Sequence, residues 1–218
     1  MHDKKEKNLD RATIALLAIL ILLVANNQVK LNNMSEMSAA GFAMATGVQT
    51  VATSIIPTGI PKIYGNELGA AYDDISPYDQ QRADLTIRNL GYLDDATQLN
   101  EDQMKRYISI ASKISCEYCC GAQSIIFSNG QAACGCAHSY AMRGLAKYLL
   151  TQHPTEFTDD EVLEEMGKWK TLFFPGQIQA KAQILSQNGV ELNYINLASN
   201  KYRGIEQGAA GSGMVGGC

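Results

Sequence analysis

The hydrophobic pattern of the chain changes character twice. Residues 12–25, ATIALLAILILLVA, are continuously apolar and no charge follows until Lys30, so a helix there would be apolar on every side. Residues 37–60 are also uncharged but rich in Ala, Gly, Ser and Thr, and they end at the breakers of IIPTGIP, which reads as a stalk. From Ser76-Pro77 onward the apolar positions recur at amphipathic helical spacing, the mark of a globular body. Ser76 as cap and Pro77 at the first turn predict a helix carrying Leu85, Ile87 and Leu90 and ending near Gly91. A second helix follows Asn100, with Met104, Tyr107, Ile108 and Ala111 on one face, and ends as Cys116 is reached. In QSIIFSNGQAAC, a β-branched and aromatic run meets Ser128-Asn129-Gly130, which predicts a short two-stranded hairpin.

Beyond the hairpin, residues 137–152 are helical up to Pro154, with His138, Met142, Leu145 and Leu149 along an inward face. Thr158 and Glu161 form a capping box that opens the next helix, Pro175-Gly176 closes it, and a last helix covers 177–188. The closing GAAGSGMVGGC is too glycine-rich for a regular element and reads as a mobile arm. The expected fold is therefore mainly α with a small β-hairpin, an α+β arrangement. Its parts are a tip and membrane anchor (1–30), a stalk (31–61), a cysteine-rich helical domain (62–205) and a tail (206–218) ending in Cys218.

With 218 residues and 46% hydrophobic content, the chain supports one sizeable core. A formal charge of −4 and scattered Lys and Arg residues provide no basic field for nucleic acid. Lys4, Lys5, Lys7 and Arg11 precede the apolar run, whereas only Lys30 closely follows it. The positive-inside bias then leaves the N-terminus in the cytoplasm and the domain outside, with residues 12–29 in the lipid bilayer. A signal-peptide core is the alternative, but the large Leu23 spoils the small-residue cleavage pattern before Ala25.

Five of the six cysteines fall between Cys116 and Cys136, a density that suits a site better than a disulfide framework. CEYCCG and CGCAH flank the predicted hairpin. Cys116 with Cys119 or Cys120 has the spacing at which a tight turn aims two thiolates at one ion. Cys134 with either Cys136 or His138 completes a tetrahedral set, since residues two apart on a helix point to nearly opposite sides. Cys218 could reach the group as a lid. Zinc suits such a thiolate and imidazole set; Cu(I) and an iron–sulfur cluster are the alternatives, the latter through Cys116, Cys119, Cys134 and Cys136. Met34, Met37 and Met44 suit apolar packing better than copper ligation. His153 reads as a surface residue, and Trp169, Phe173 and Phe174 as core.

This order of parts, a cysteine turn, a hairpin and a helix whose start supplies ligands, resembles the treble-clef class of zinc-binding modules over about 25 residues. The resemblance implies one zinc ion held by four of these side chains. The CGC stretch is also similar, more weakly, to cysteine-glycine-cysteine-motif lipoproteins of bacterial surfaces, although no lipobox cysteine follows the apolar run.

The expected function is thus a membrane-anchored, extracytoplasmic metal-binding protein. A thiol-redox or iron–sulfur electron-transfer protein and a disulfide-stabilised surface interaction domain are the alternatives. No phosphate loop, HExxH or serine elbow points to an enzyme.

Overall fold

A computed structural model describes residues 55–207 and 213–217. These belong to one compact unit, Val51–Cys218. The expected anchor at 12–29, most of the stalk and Cys218 lie outside the described residues. Among the described residues, no helix is long and apolar enough to cross a membrane.

The helices in chain order are α1 (Gly65–Leu68), α2 (Gln80–Ala96), α3 (Glu101–Ala111), α4 (Ala137–Gln152), α5 (Asp159–Phe173), α6 (Pro175–Gln187) and α7 (Tyr194–Ala198), with 3-10 turns at Tyr72–Asp74 and Asn200–Tyr202. Local caps fix several starts. Asn100 Oδ1 accepts from the Gln103 amide (2.9 Å), and Gln103 reaches back to the Asn100 amide, opening α3. Thr158 and Glu161 make the same reciprocal pair at α5. Pro175 occupies the first turn of α6, where its missing N–H leaves no bond unmade.

The centre of the body is α4, which buries Ala141, Met142, Leu145, Ala146, Leu149 and Leu150 and is packed upon by α2, α3 and α5. Two glycines bring α2 and α4 close together. A Cβ built on Gly144 would lie 2.9 Å from the Asp94 amide, and one built on Gly91 would lie 3.2 Å from Tyr140 Cβ. That explains why α2 runs through Gly91 to Ala96 rather than stopping there. Its start also differs from expectation: Asp79, not Ser76, caps it by accepting from the Arg82 amide (3.1 Å), and Pro77 sits in the preceding turn.

The β component is smaller than expected. The described residues contain no sheet; the hairpin survives as a single antiparallel bridge, Ile126 with Ala132. Its turn chemistry is as read, with Gly130 at φ 82° and Asn129 Oδ1 accepting from the Gln131 amide. The ladder goes no further because the Ile125 amide donates to Ile114 (3.1 Å) instead of across the hairpin. The fold is mostly α.

Packing also extends past both ends expected for the domain. Ile55 belongs to the core. Near the C-terminus, Val215 is 1% exposed, its amide donates to Phe173 O (2.9 Å), and the Gly216 and Gly217 amides donate to Gln80 and Asp84. Over residues 213–217 the chain is therefore a docked strap rather than a free arm.

Candidate metal centre

Cys116, Cys119 and Cys136 are placed by distinct local devices. Beyond α3, Ile114 pairs with Ser199 and leads into the buried Cys116. The Cys119 amide then donates to the Cys116 carbonyl (3.4 Å), closing the tight turn that the CEYC spacing implies. On the other side of the hairpin, Cys136 is the N-cap of α4, and its Sγ accepts from the Ser139 amide (3.4 Å).

These devices bring three sulfurs together. The Sγ atoms of Cys116, Cys119 and Cys136 all lie within 4.8 Å of one another, and those of Cys116 and Cys136 are 3.2 Å apart. A tetrahedral ion with metal–sulfur bonds of about 2.3 Å separates its thiolates by about 3.8 Å, so the trio matches the scale of one ion's coordination sphere. Cys120 and Cys134 pair at disulfide distance. Cys134 Sγ is also 3.5 Å from Cys136 Sγ, whereas Cys120 Sγ approaches the Cys116 carbonyl. The metal and disulfide readings of the cysteines thus divide among them: three thiols form the group and two are joined beside it.

His138 lies in the first turn of the same helix and is fully buried, as its position on the inward face predicts. Its Nε2 bonds to the Val215 carbonyl (2.8 Å), and its ring rests against Phe173 and Phe174. It stands outside the three-thiol group, and Cys218 lies outside the described residues.

The electrostatics differentiate the thiols. The Cys116 hydrogen bond, with support from His138 and Ser139, holds the Cys136 thiol far below its ordinary range. The same bond, together with burial, pushes Cys116 up. One proton shared between the two sulfurs, with Cys136 as the thiolate at a helix N-terminus, accounts for both directions. Cys116 is clear of the end of α3 at Ala111, so no helix C-terminus acts on it.

Beneath the turn lies a charge network that the sequence reading missed. Glu117 Oε1 receives both Lys170 Nζ (2.9 Å) and Lys181 Nζ (3.2 Å), two lysines with no exposed side-chain surface. Lys170 also donates to Ala198 O, and Lys181 pairs with Glu206 at 3.6 Å. Arg203 staples both flanks of the turn, donating to Ser115 Oγ, Ala122 O and Gly121 O, with its Nε 3.8 Å from Glu117. Tyr118 presents its ring to both ammonium groups, at 5.2 and 5.6 Å. Burial raises Glu117, but the two lysines outweigh it and leave the carboxyl below its ordinary range. Burial likewise draws Lys170 down to about 8, against the pull of Glu117 and Cys116. Three cations face two carboxylates here, so one positive charge is left over beside the thiols.

On the hairpin side, Arg143 holds Cys134. Its Nη1 donates to the Cys134 carbonyl (2.8 Å) and its Nε to Asp94 (2.6 Å), while Lys147 pairs with the same carboxylate. The site is therefore walled by two buried ion-pair clusters, which set cysteine positions without relying on regular strands. No protein-family model, no curated protein and no solved structure matches the chain.

Proposed function

We propose that this chain is a membrane-anchored, extracytoplasmic metal-binding protein, with Cys116, Cys119 and Cys136 as thiolate ligands and zinc as the ion. The convergence of three sulfurs within 4.8 Å from two separate segments carries the reading. Soft, compact thiolate sets suit zinc, which imposes no geometry of its own. The residual positive charge supplied by Lys170, Lys181 and Arg203 complements it, because three thiolates on a divalent ion carry one net negative charge. The anchor and its orientation rest on the apolar run at 12–29 and the basic residues before it.

The test is elemental analysis with an absorbance spectrum on the full-length chain purified without oxygen. One zinc per chain, lost when Cys116, Cys119 or Cys136 becomes Ser, is the expected result. Iron with charge-transfer bands would replace this reading with an iron–sulfur one. For the anchor, fractionation should place the full chain with membranes and release it when residues 1–30 are deleted. After reduction, an impermeant thiol reagent should label the exposed Cys120 from outside.

A second reading, a thiol-redox protein, is favoured by the Cys136 thiol lying 3.5 Å from a disulfide sulfur. A metal-free chain whose cysteines exchange electrons reversibly with a dithiol would support it.

A further inference from the structure

We infer that Cys134 is the fourth thiolate of the metal site and that its bond to Cys120 is a reducible lock on that position, an inference that rests on the metal reading above. Three thiols leave a tetrahedral ion one ligand short. Cys134 Sγ lies 3.5 Å from Cys136 Sγ, close to the about 3.8 Å edge of a tetrathiolate zinc site. Cys120 does not qualify equally: its sulfur approaches a backbone oxygen, the Cys116 carbonyl, at 3.6 Å.

The two halves of the disulfide are held differently. Cys134 is 5% exposed, and its backbone is fixed on both sides, by Arg143 on its carbonyl and by the Ala133 amide on Ile125 O. Freed from Cys120, Cys134 keeps its place beside Cys136. Cys120 is exposed, on the outer end of the cysteine turn. An incoming thiol therefore meets Cys120 first.

The chemistry follows from that asymmetry. A thiolate reductant, RS⁻, attacks Cys120 Sγ; the Cys120–Cys134 bond breaks, a Cys120–S–SR mixed disulfide forms, and Cys134 leaves as a thiolate. A second RS⁻ releases RS–SR and leaves Cys120 as a thiolate, which takes a proton from solvent. Two reductant thiolates are oxidised to one disulfide while one protein disulfide becomes two sulfurs. Cys134, delivered as a thiolate, is already in the form that binds metal. Oxidation and tight metal loading then oppose each other: the locked site has three thiolates and the open site four.

The experiment titrates the full-length chain with Zn²⁺ against a chromophoric chelator, without oxygen. One sample keeps the disulfide intact, verified by mass after alkylation of free thiols; the other is reduced with a phosphine that is then removed. Reduction should tighten zinc binding by more than the about 10–100-fold that loss of a mere supporting partner changes. Cys120→Ser should bind like the reduced chain without any reductant, and Cys134→Ser should stay at the weak level in both states. In Co²⁺-loaded samples, the sulfur-to-cobalt charge-transfer band should strengthen from the locked to the open state. Equal affinity in both states, or a Cys134→Ser chain that still tightens on reduction, would overturn the lock while leaving the metal reading intact. Absence of zinc binding in either state would instead sink the metal reading itself.

Discussion

At the residue scale, the most consequential feature is two fully buried lysines on one carboxylate oxygen. A buried cation is tolerated only when paired, and its neutral replacement changes the charge available to a neighbouring anion. If the surplus charge beside the thiols supports an anionic metal–thiolate group, Lys170→Met should weaken zinc binding by about 10–100-fold. Adding Glu117→Gln to that variant restores the net charge and should recover most of the affinity, whereas a purely structural defect would persist; chelator competition reads both. His153 makes a second case. Although a histidine beside Pro154 reads as a surface residue, it is 7% exposed and bonds Glu156 through Nδ1 and Glu67 through Nε2. Burial lowers its pKa, but the two glutamates more than compensate, so the net shift is upward. A raised histidine contributes stability that is full below its ordinary value near 6.5 and is lost as pH rises through the folded value. Thermal stability should therefore fall as pH rises above about 6.5, and His153→Gln should flatten that part of the profile. The glutamates are about half exposed, 48% and 52%, so solvent keeps the effect modest.

At the element scale, the seam between α2 and α4 is set by missing side chains. A methyl on Gly144 would meet the backbone of α2, which cannot move aside as a flexible side chain can, whereas one on Gly91 meets Tyr140 Cβ at a more tolerable 3.2 Å. Gly144→Ala should destabilise the fold by about 1–3 kcal/mol or more, with Gly91→Ala milder, as read from urea midpoints. The elements readable from sequence are those with local determinants: the boundaries of α4, the start of α3 after Asn100, and the cap pair Thr158/Glu161. The hairpin is shorter than its turn residues predict because its extension is decided at long range, by the Ile114 carbonyl taking the Ile125 amide. Gly91 looked like a stop because a glycine needed for close packing has the same sequence signature as one that ends a helix. For the site, the spacing of CEYC and CGC located the ligand cluster, but not which sulfurs would pair. The charge network was illegible since Lys170 and Lys181 lie 53 and 64 positions from Glu117. Its one local trace is a pair of lone lysines within otherwise apolar helix faces, beside Trp169 and between Ala180 and Ala182.

At the scale of the whole molecule, the cysteine centre is assembled from distant parts of the sequence. The turn comes from residues 116–120 and the cap from α4. The buried cations belong to α5 and α6, the staple is Arg203, and the strap is 213–217. That dispersion bears on the likeness to small zinc modules, which hold their shape largely through the ion. Here the placement of the three sulfurs depends on groups that no short excerpt contains. Arg203 alone ties Ser115 to Gly121 and Ala122 across 81 to 88 positions. The motif is consequently not portable: a synthetic peptide spanning 112–140, or the same stretch grafted into a foreign loop, should hold zinc far more weakly than the intact chain, as a competition titration of the two would reveal. For this protein the cysteine turn cannot be cut away from the body that shapes it.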